Sequence, residues 1–177
     1  MAAINQQTIQ DFIAVGANAA TTTEQGRALE DLVCYLFGLV PGVAITHRND
    51  MNTFNTEEID VALWNNKDAS GFNFLPDIIL VECKNWSSAV GSAEVNWFDT
   101  KLRNRGLDFG ILVATNGITG KANDLTAAHK IVADALRERR RLVVVTTDEI
   151  RGLGDTDALA THLKKKLCDL AVKGSLG

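Results

Sequence analysis

Apolar residues in this chain fall into two rhythms, one of helices and one of strands. Across residues 24–39 they recur every three to four positions, as Ala28, Leu29, Leu32, Val33, Leu36 and Phe37, which is the stripe of an amphipathic helix. Thr23 is the expected N-cap and Pro41-Gly42 the stop signal. Glu30 sits at the margin of that stripe, in register with Val33, Cys34 and Phe37. Residues 5–18 predict a shorter helix, set apart by the cap-rich run 19–23. Strand patterns follow over 43–48, 57–64 and 77–84, with a polar connection over 65–75 that reads as the loop of a hairpin or meander. Its two aromatics, Phe72 and Phe74, are expected to cover the core rather than to meet a ligand.

Further along, Ser92 is placed to cap a helix over 92–105, with Val95, Phe98 and Leu102 facing inward. A wholly apolar strand over 109–115, a helix over 120–138 and a second apolar strand over 142–146 imply a right-handed parallel crossover. A last helix spans 157–172. The expected fold class is α/β, of order αβββαβαβ, a mixed central sheet flanked by helices on both faces. At 177 residues and 46% hydrophobic content, residues 1–177 are expected to form a single domain with an adequate core.

Charge interrupts this pattern inside a core strand. Leu80, Glu82 and Lys84 share one face of the strand, and Ile79, Val81 and Cys83 share the other. Buried charge is costly unless it is paired or bound to a metal, so Glu82 and Lys84 form either a structural ion pair or a site. On the preceding strand Glu58, Asp60, Ala62 and Trp64 share a face, opposite Ile59, Val61 and Leu63. If the two strands pair with the same face up, Asp60 and Glu82 converge, with Lys84 about 6.6 Å further on at roughly 3.3 Å per residue. Carboxylates so placed suit Mg²⁺ or Mn²⁺. Asp77, in Pro76-Asp77, lies an odd number of residues before Glu82 and is expected at the strand entrance instead.

Asp60, then Glu82-Cys83-Lys84 on the next strand, then a helix, resembles the PD-(D/E)xK nuclease superfamily. The stretch Val81-Glu82-Cys83-Lys84-Asn85-Trp86 is most similar to its Mrr-type, restriction-endonuclease-like branch, and the resemblance covers residues 24–146 or so. It implies a restriction-endonuclease-like αβββαβ core. It also implies that Asp60, Glu82 and the backbone carbonyl of Cys83 hold a metal, with Lys84 acting on the reacting phosphate or its water. Gly26-Arg27-Ala28-Leu29-Glu30 looks like the family's first-helix position, which adds Glu30 to the catalytic candidates. The helix after Lys84 offers Glu94, Asn96 and Lys101, none singled out and each expected to face solvent. The implied activity is that of a Mg²⁺-dependent endodeoxyribonuclease, with Mn²⁺ able to substitute, acting on DNA in restriction or phage defence. Two other readings stand beside it: an RNA-directed or toxin-like nuclease, and a catalytically silent nucleic-acid-binding or interaction domain.

A net charge of −4 and a pI near 5.3 leave no broad basic footprint. The basic runs at 101–105, 137–141 and 164–166 read as solvated helix ends. Substrate grip is therefore expected from a homo-oligomer or a partner protein that supplies recognition. Cys34, Cys83 and Cys168 lack C-x-x-C spacing, and His47, His129 and His162 lack metal-ligand spacing, so none is assigned a role. No P-loop and no G-x-S-x-G elbow occurs. With no apolar run of membrane-spanning length and no basic-then-apolar leader, no membrane association and a cytoplasmic location are expected.

Overall fold

The computed structural model describes residues 1–52, 56–121 and 126–175. Helix α1 (Gln6–Ala17) is capped by Asn5, whose side chain accepts from the N–H groups of Gln7 and Thr8. Helix α2 (Thr22–Gly38) is capped by Thr21, two residues before the expected cap. Thr21 Oγ1 accepts from Glu24 N at 3.2 Å, and the Glu24 carboxylate accepts from Thr21 N at 3.1 Å. This reciprocal capping box needs an acid three residues after the cap, a spacing that selects Thr21 over Thr23.

Three strands follow, β1 (Val43–Met51), β2 (Glu58–Asn65) and β3 (Ile78–Lys84), then α3 (Ser92–Asn104) and β4 (Phe109–Ala114). Helix α4 (Ala127–Arg137) leads to β5 (Arg141–Val145), a short α5 (Thr147–Arg151) and α6 (Thr156–Lys173). The N-cap of α3 is Gly91, with no side-chain cap bond, where Ser92 was expected. Of the helix expected over 120–138, residues 122–125 lie outside the described residues and the helix itself begins at Ala127. Helix α5 has no apolar period long enough to announce it, but Thr146 and Glu149 close a second capping box that nucleates it.

The sheet runs β1-β2-β3-β4-β5, antiparallel over the first three strands and parallel over the last three. This mixed sheet with helices on both faces is the restriction-endonuclease-like α/β fold. On one face α1, α2 and α6 bury Leu32, Val33, Leu36, Val81, Ile111 and Leu163. On the other, α3 and α4 bury Leu80, Val95, Phe98, Leu102, Leu112 and Val132. Each large apolar side chain so enclosed contributes roughly 1.5–3 kcal/mol. Phe72, fully buried, packs edge-on against Phe37 and Phe74 at 5.8 and 6.0 Å, so the loop aromatics belong to the core.

Two features of this packing bear on the charged end of β3. Gly110 lies beside Leu80 in the parallel register, and a Cβ there would meet Phe98 at 2.7 Å and Leu102 at 2.8 Å. The missing side chain lets α3 lie close against the sheet. The β2–β3 ladder ends at Val61↔Val81, and beyond it the two strands part. Past that point Ile59 packs against the cluster under α3, not on the Val61 and Leu63 face that strict alternation predicted. Two-stranded ribbons twist more strongly than larger sheets, which accounts for the change of face beyond the third strand.

Candidate active site

Continuing the register beyond Val61↔Val81, the N–H of Cys83 would bond the carbonyl of Ile59. It donates instead to Asp60 Oδ2 at 2.7 Å. The Asp60 side chain therefore occupies the notch where β2 and β3 separate, at the C-terminal end of β3. Burial pushes the Asp60 carboxyl up to about 6, and the charge of Glu82 adds to that, against the stabilising Cys83 N–H.

Glu82 is 3% exposed, on the face of β3 that α3 covers, and both of its oxygens are engaged. Lys84 Nζ donates to Oε1 and Lys101 Nζ to Oε2, each at 2.7 Å. Lys84 reaches Glu82 because the two are two residues apart on one strand face. Lys101 reaches it from α3, which the absent side chain at Gly110 allows to approach. For Lys84, burial works against the ammonium, but contact with Glu82 and the nearby Asp60 more than offset it, so its pKa is raised. Lys84 is thus a persistent cation, positioned to stabilise negative charge rather than to accept a proton.

The end of β3 is held by Asn85. Its Nδ2 donates to the carbonyl of Gln25 in α2 at 2.8 Å, and its Oδ1 accepts from Thr115 Oγ1 at 2.7 Å. A Cβ at Gly16 would fall 2.6 Å from that Nδ2, so the glycine of α1 provides the room. Helix α2 and the segment after β4 are thereby tied to the residue next to Lys84.

Glu30 and Asp60 line one cavity of about 270 Å³, together with Thr22, Thr23, Gly26, Arg27, Asn49 and Glu58. Glu30 is buried, and its Oε2 accepts from Asn49 Nδ2 at 2.8 Å and from Arg48 Nε at 3.2 Å. Asn49 holds a left-handed backbone conformation, φ 52°, one that asparagine tolerates better than most residues. Glu57, by contrast, is turned away into a structural clamp with Arg105 and Asn104, and Arg105 holds its carboxyl below the ordinary range. Asp77 stands exposed before β3, paired with Lys67 at 2.8 Å.

Lys101, Asn85, Arg48 and Asn49 were not singled out by motif. Lys101 was expected to face solvent, yet it is 3% exposed. Its signal was in the helical spacing, since it stands three residues after the inward-facing Phe98. In the basic runs at 101–105 and 137–141, Arg103, Arg137 and Arg139 are exposed as expected, but Lys101, Arg105 and Arg140 turn inward. Arg105 clamps Glu57, and Arg140 forks onto Asp99 through Nε at 2.7 Å and Nη2 at 3.0 Å.

The donor set at the notch is two carboxylates, with Oδ1 of Asp60 accepting no hydrogen bond among the described residues, and main-chain carbonyls beside them. Among the described residues no group of three or more His, Cys, Asp and Glu is arranged to hold a metal ion. Two hard oxygen ligands nonetheless fit a cation such as Mg²⁺, which keeps several waters and takes one or two carboxylates from protein.

A carboxylate pair joined to a lysine thus stands at the end of a central strand, on a mixed α/β sheet. The Mrr-type catalytic family model, described as restriction endonuclease, matches residues 21–143, and the chain belongs to that family. No curated protein matches it. No helix among the described residues is long and apolar enough to cross a membrane.

Proposed function

We propose that this protein is an endonuclease that hydrolyses phosphodiester bonds of DNA with a divalent cation, Mg²⁺ or Mn²⁺, in restriction or defence against phage. Residues 1–177 act in this reading as one nuclease domain, in the cytoplasm. The observation that carries it is the contact of Lys84 with Glu82 beside the Asp60 notch, which gathers two carboxylates and a persistent cation at one strand end.

Asp60, Glu82 and the Cys83 carbonyl would hold the cation, which when bound supplies Lewis acidity and a more acidic water. Lys84, kept charged by its carboxylate neighbours, stabilises negative charge developing on the phosphoryl oxygens. Lys101 holds the second oxygen of Glu82 and so fixes the carboxylate's orientation. Glu30, tied to Arg48 and Asn49, shapes the cavity that Asp60 lines and has its oxygen already committed. In an acidic chain whose Lys and Arg side chains are mostly paired, a homo-oligomer or partner protein supplies sequence recognition.

The test is cleavage of supercoiled plasmid by the wild type, Glu82→Ala and Lys84→Ala, with Mg²⁺, Mn²⁺ or EDTA. Metal-dependent nicking lost in both variants is the expected outcome. Cleavage at an unaltered rate by Lys84→Ala overturns the site assignment. RNA cleaved in place of plasmid overturns the substrate.

A further inference from the structure

Resting on the nuclease reading and deepening it, we propose that Arg27 and the cavity it shares with Asp60 form a phosphate subsite that grips the backbone of the nucleic-acid strand beside the point of cleavage. The cavity brings the two residues to one space of about 270 Å³ with a polar lining. That is below the roughly 300–1,000 Å³ of pockets that enclose a drug-sized molecule, and it suits a short length of strand backbone.

Arg27 is exposed on the first turns of α2, and no carboxylate lies within ion-pair distance of it among the described residues. The other cations near the site are committed: Lys84 and Lys101 to Glu82, Arg48 to Glu30 and Asp31, and Arg105 to Glu57. Among the described residues this guanidinium makes no ion pair or hydrogen bond, in a cavity that also holds Glu58 and Asp60. Its backbone carbonyl accepts from Arg48 Nη2 at 3.4 Å, which fixes the helix turn and leaves the side chain free.

The electrostatics call for such a group. A polyanion approaching Asp60 and Glu58 in a chain of net charge −4 is repelled unless a cation meets it in the same cavity. The planar fork of arginine matches two phosphate oxygens at once, as a lysine does not. Thr22 and Thr23 also line the cavity, and threonine hydroxyls are donors suited to the remaining phosphate oxygens.

The experiment is fluorescence anisotropy of a labelled DNA oligonucleotide, single-stranded and duplex, titrated with the full chain in EDTA across a range of salt. It compares the wild type, Arg27→Ala, Arg27→Lys and the distant control Arg139→Ala. Arg27→Ala is expected to bind about tenfold more weakly at low salt, with the slope of log K against log salt reduced by about one. Arg27→Lys keeps the slope and recovers part of the affinity, and Arg139→Ala matches the wild type. In cleavage assays Arg27→Ala raises KM far more than it lowers kcat, and its thermal unfolding is unchanged.

Wild-type affinity and slope in Arg27→Ala overturn the subsite, whatever becomes of the nuclease reading. Arg27-dependent binding by a protein that cleaves nothing with any metal sinks the nuclease reading and leaves the subsite standing. A wild type that binds no nucleic acid overturns both.

Discussion

Replacing Asp60 by asparagine should make the protein more stable at pH 7. Asp60 sits in the notch between β2 and β3, where burial and then the charge of Glu82 raise its carboxyl from 3.8 to about 6. Two pH units or so at 1.36 kcal/mol each is roughly 3 kcal/mol of cost for keeping this group ionised. Solvent still reaches the partly buried carboxyl, so about 1–2 kcal/mol is the expected gain. An asparagine Oδ1 can accept from the Cys83 N–H as the aspartate does, so the substitution removes the charge and keeps the hydrogen bond.

The sign follows from proton counting. Between pH 3.8 and about 6 the folded wild type holds a proton at Asp60 that the unfolded chain has lost. The contribution of this group is therefore fully present below 3.8 and disappears as pH rises through about 6. Asp60→Asn has no such dependence. Urea unfolding of both proteins from pH 4 to pH 8 is the assay, and the gap in favour of the variant should open between about pH 4 and pH 6 and level above that. In thermal melts at pH 7 the variant should gain about 3–6 °C. Added Mg²⁺ should narrow the gap by stabilising the wild type alone. A variant less stable than the wild type at pH 7, or a gap independent of pH, refutes the electrostatic account of the notch.

Two further outcomes concern the cations behind the site. Lys101→Met leaves one oxygen of the buried Glu82 without its ammonium, which should cost about 3 kcal/mol in urea unfolding, partly recovered with Mg²⁺; an unmoved midpoint would mean the pair contributes nothing. Arg140→Ala leaves the buried Asp99 with the exposed Arg103 as its remaining cation and should cost about 1–3 kcal/mol while the folded fraction keeps its full cleavage rate. A slower kcat at unchanged stability would instead connect Arg140 to the chemistry.

Most of the element order was legible because it rests on local periodicity. The stripe from Ala28 to Phe37, the apolar runs of β4 and β5 and the alternation of β3 each mark a surface that must be buried. The capping box Thr21-x-x-Glu24 was equally local, and the expected cap fell on Thr23 because the acid three residues on was left out of account. The charged residues of β3 stood out for the same reason, as polar interruptions of an apolar strand. Face alternation also put Glu82 and Lys84 together correctly, with the 2.7 Å contact as the result.

What the chain alone determined, then, is where charge interrupts a buried strand and which neighbours on that strand share its face, since both follow from a two-residue repeat. The strand split that puts Asp60 against the Cys83 N–H was decided by the tertiary structure, because it depends on where β2 stops pairing with β3. So was the arrival of Lys101 at Glu82, which depends on the bare backbone of Gly110 under α3. That Arg27 has no carboxylate partner among the described residues is likewise a property of the folded molecule. A side chain is free only when every carboxylate has been brought close to some other cation or left out of reach, and that distribution is set by packing between elements remote in sequence.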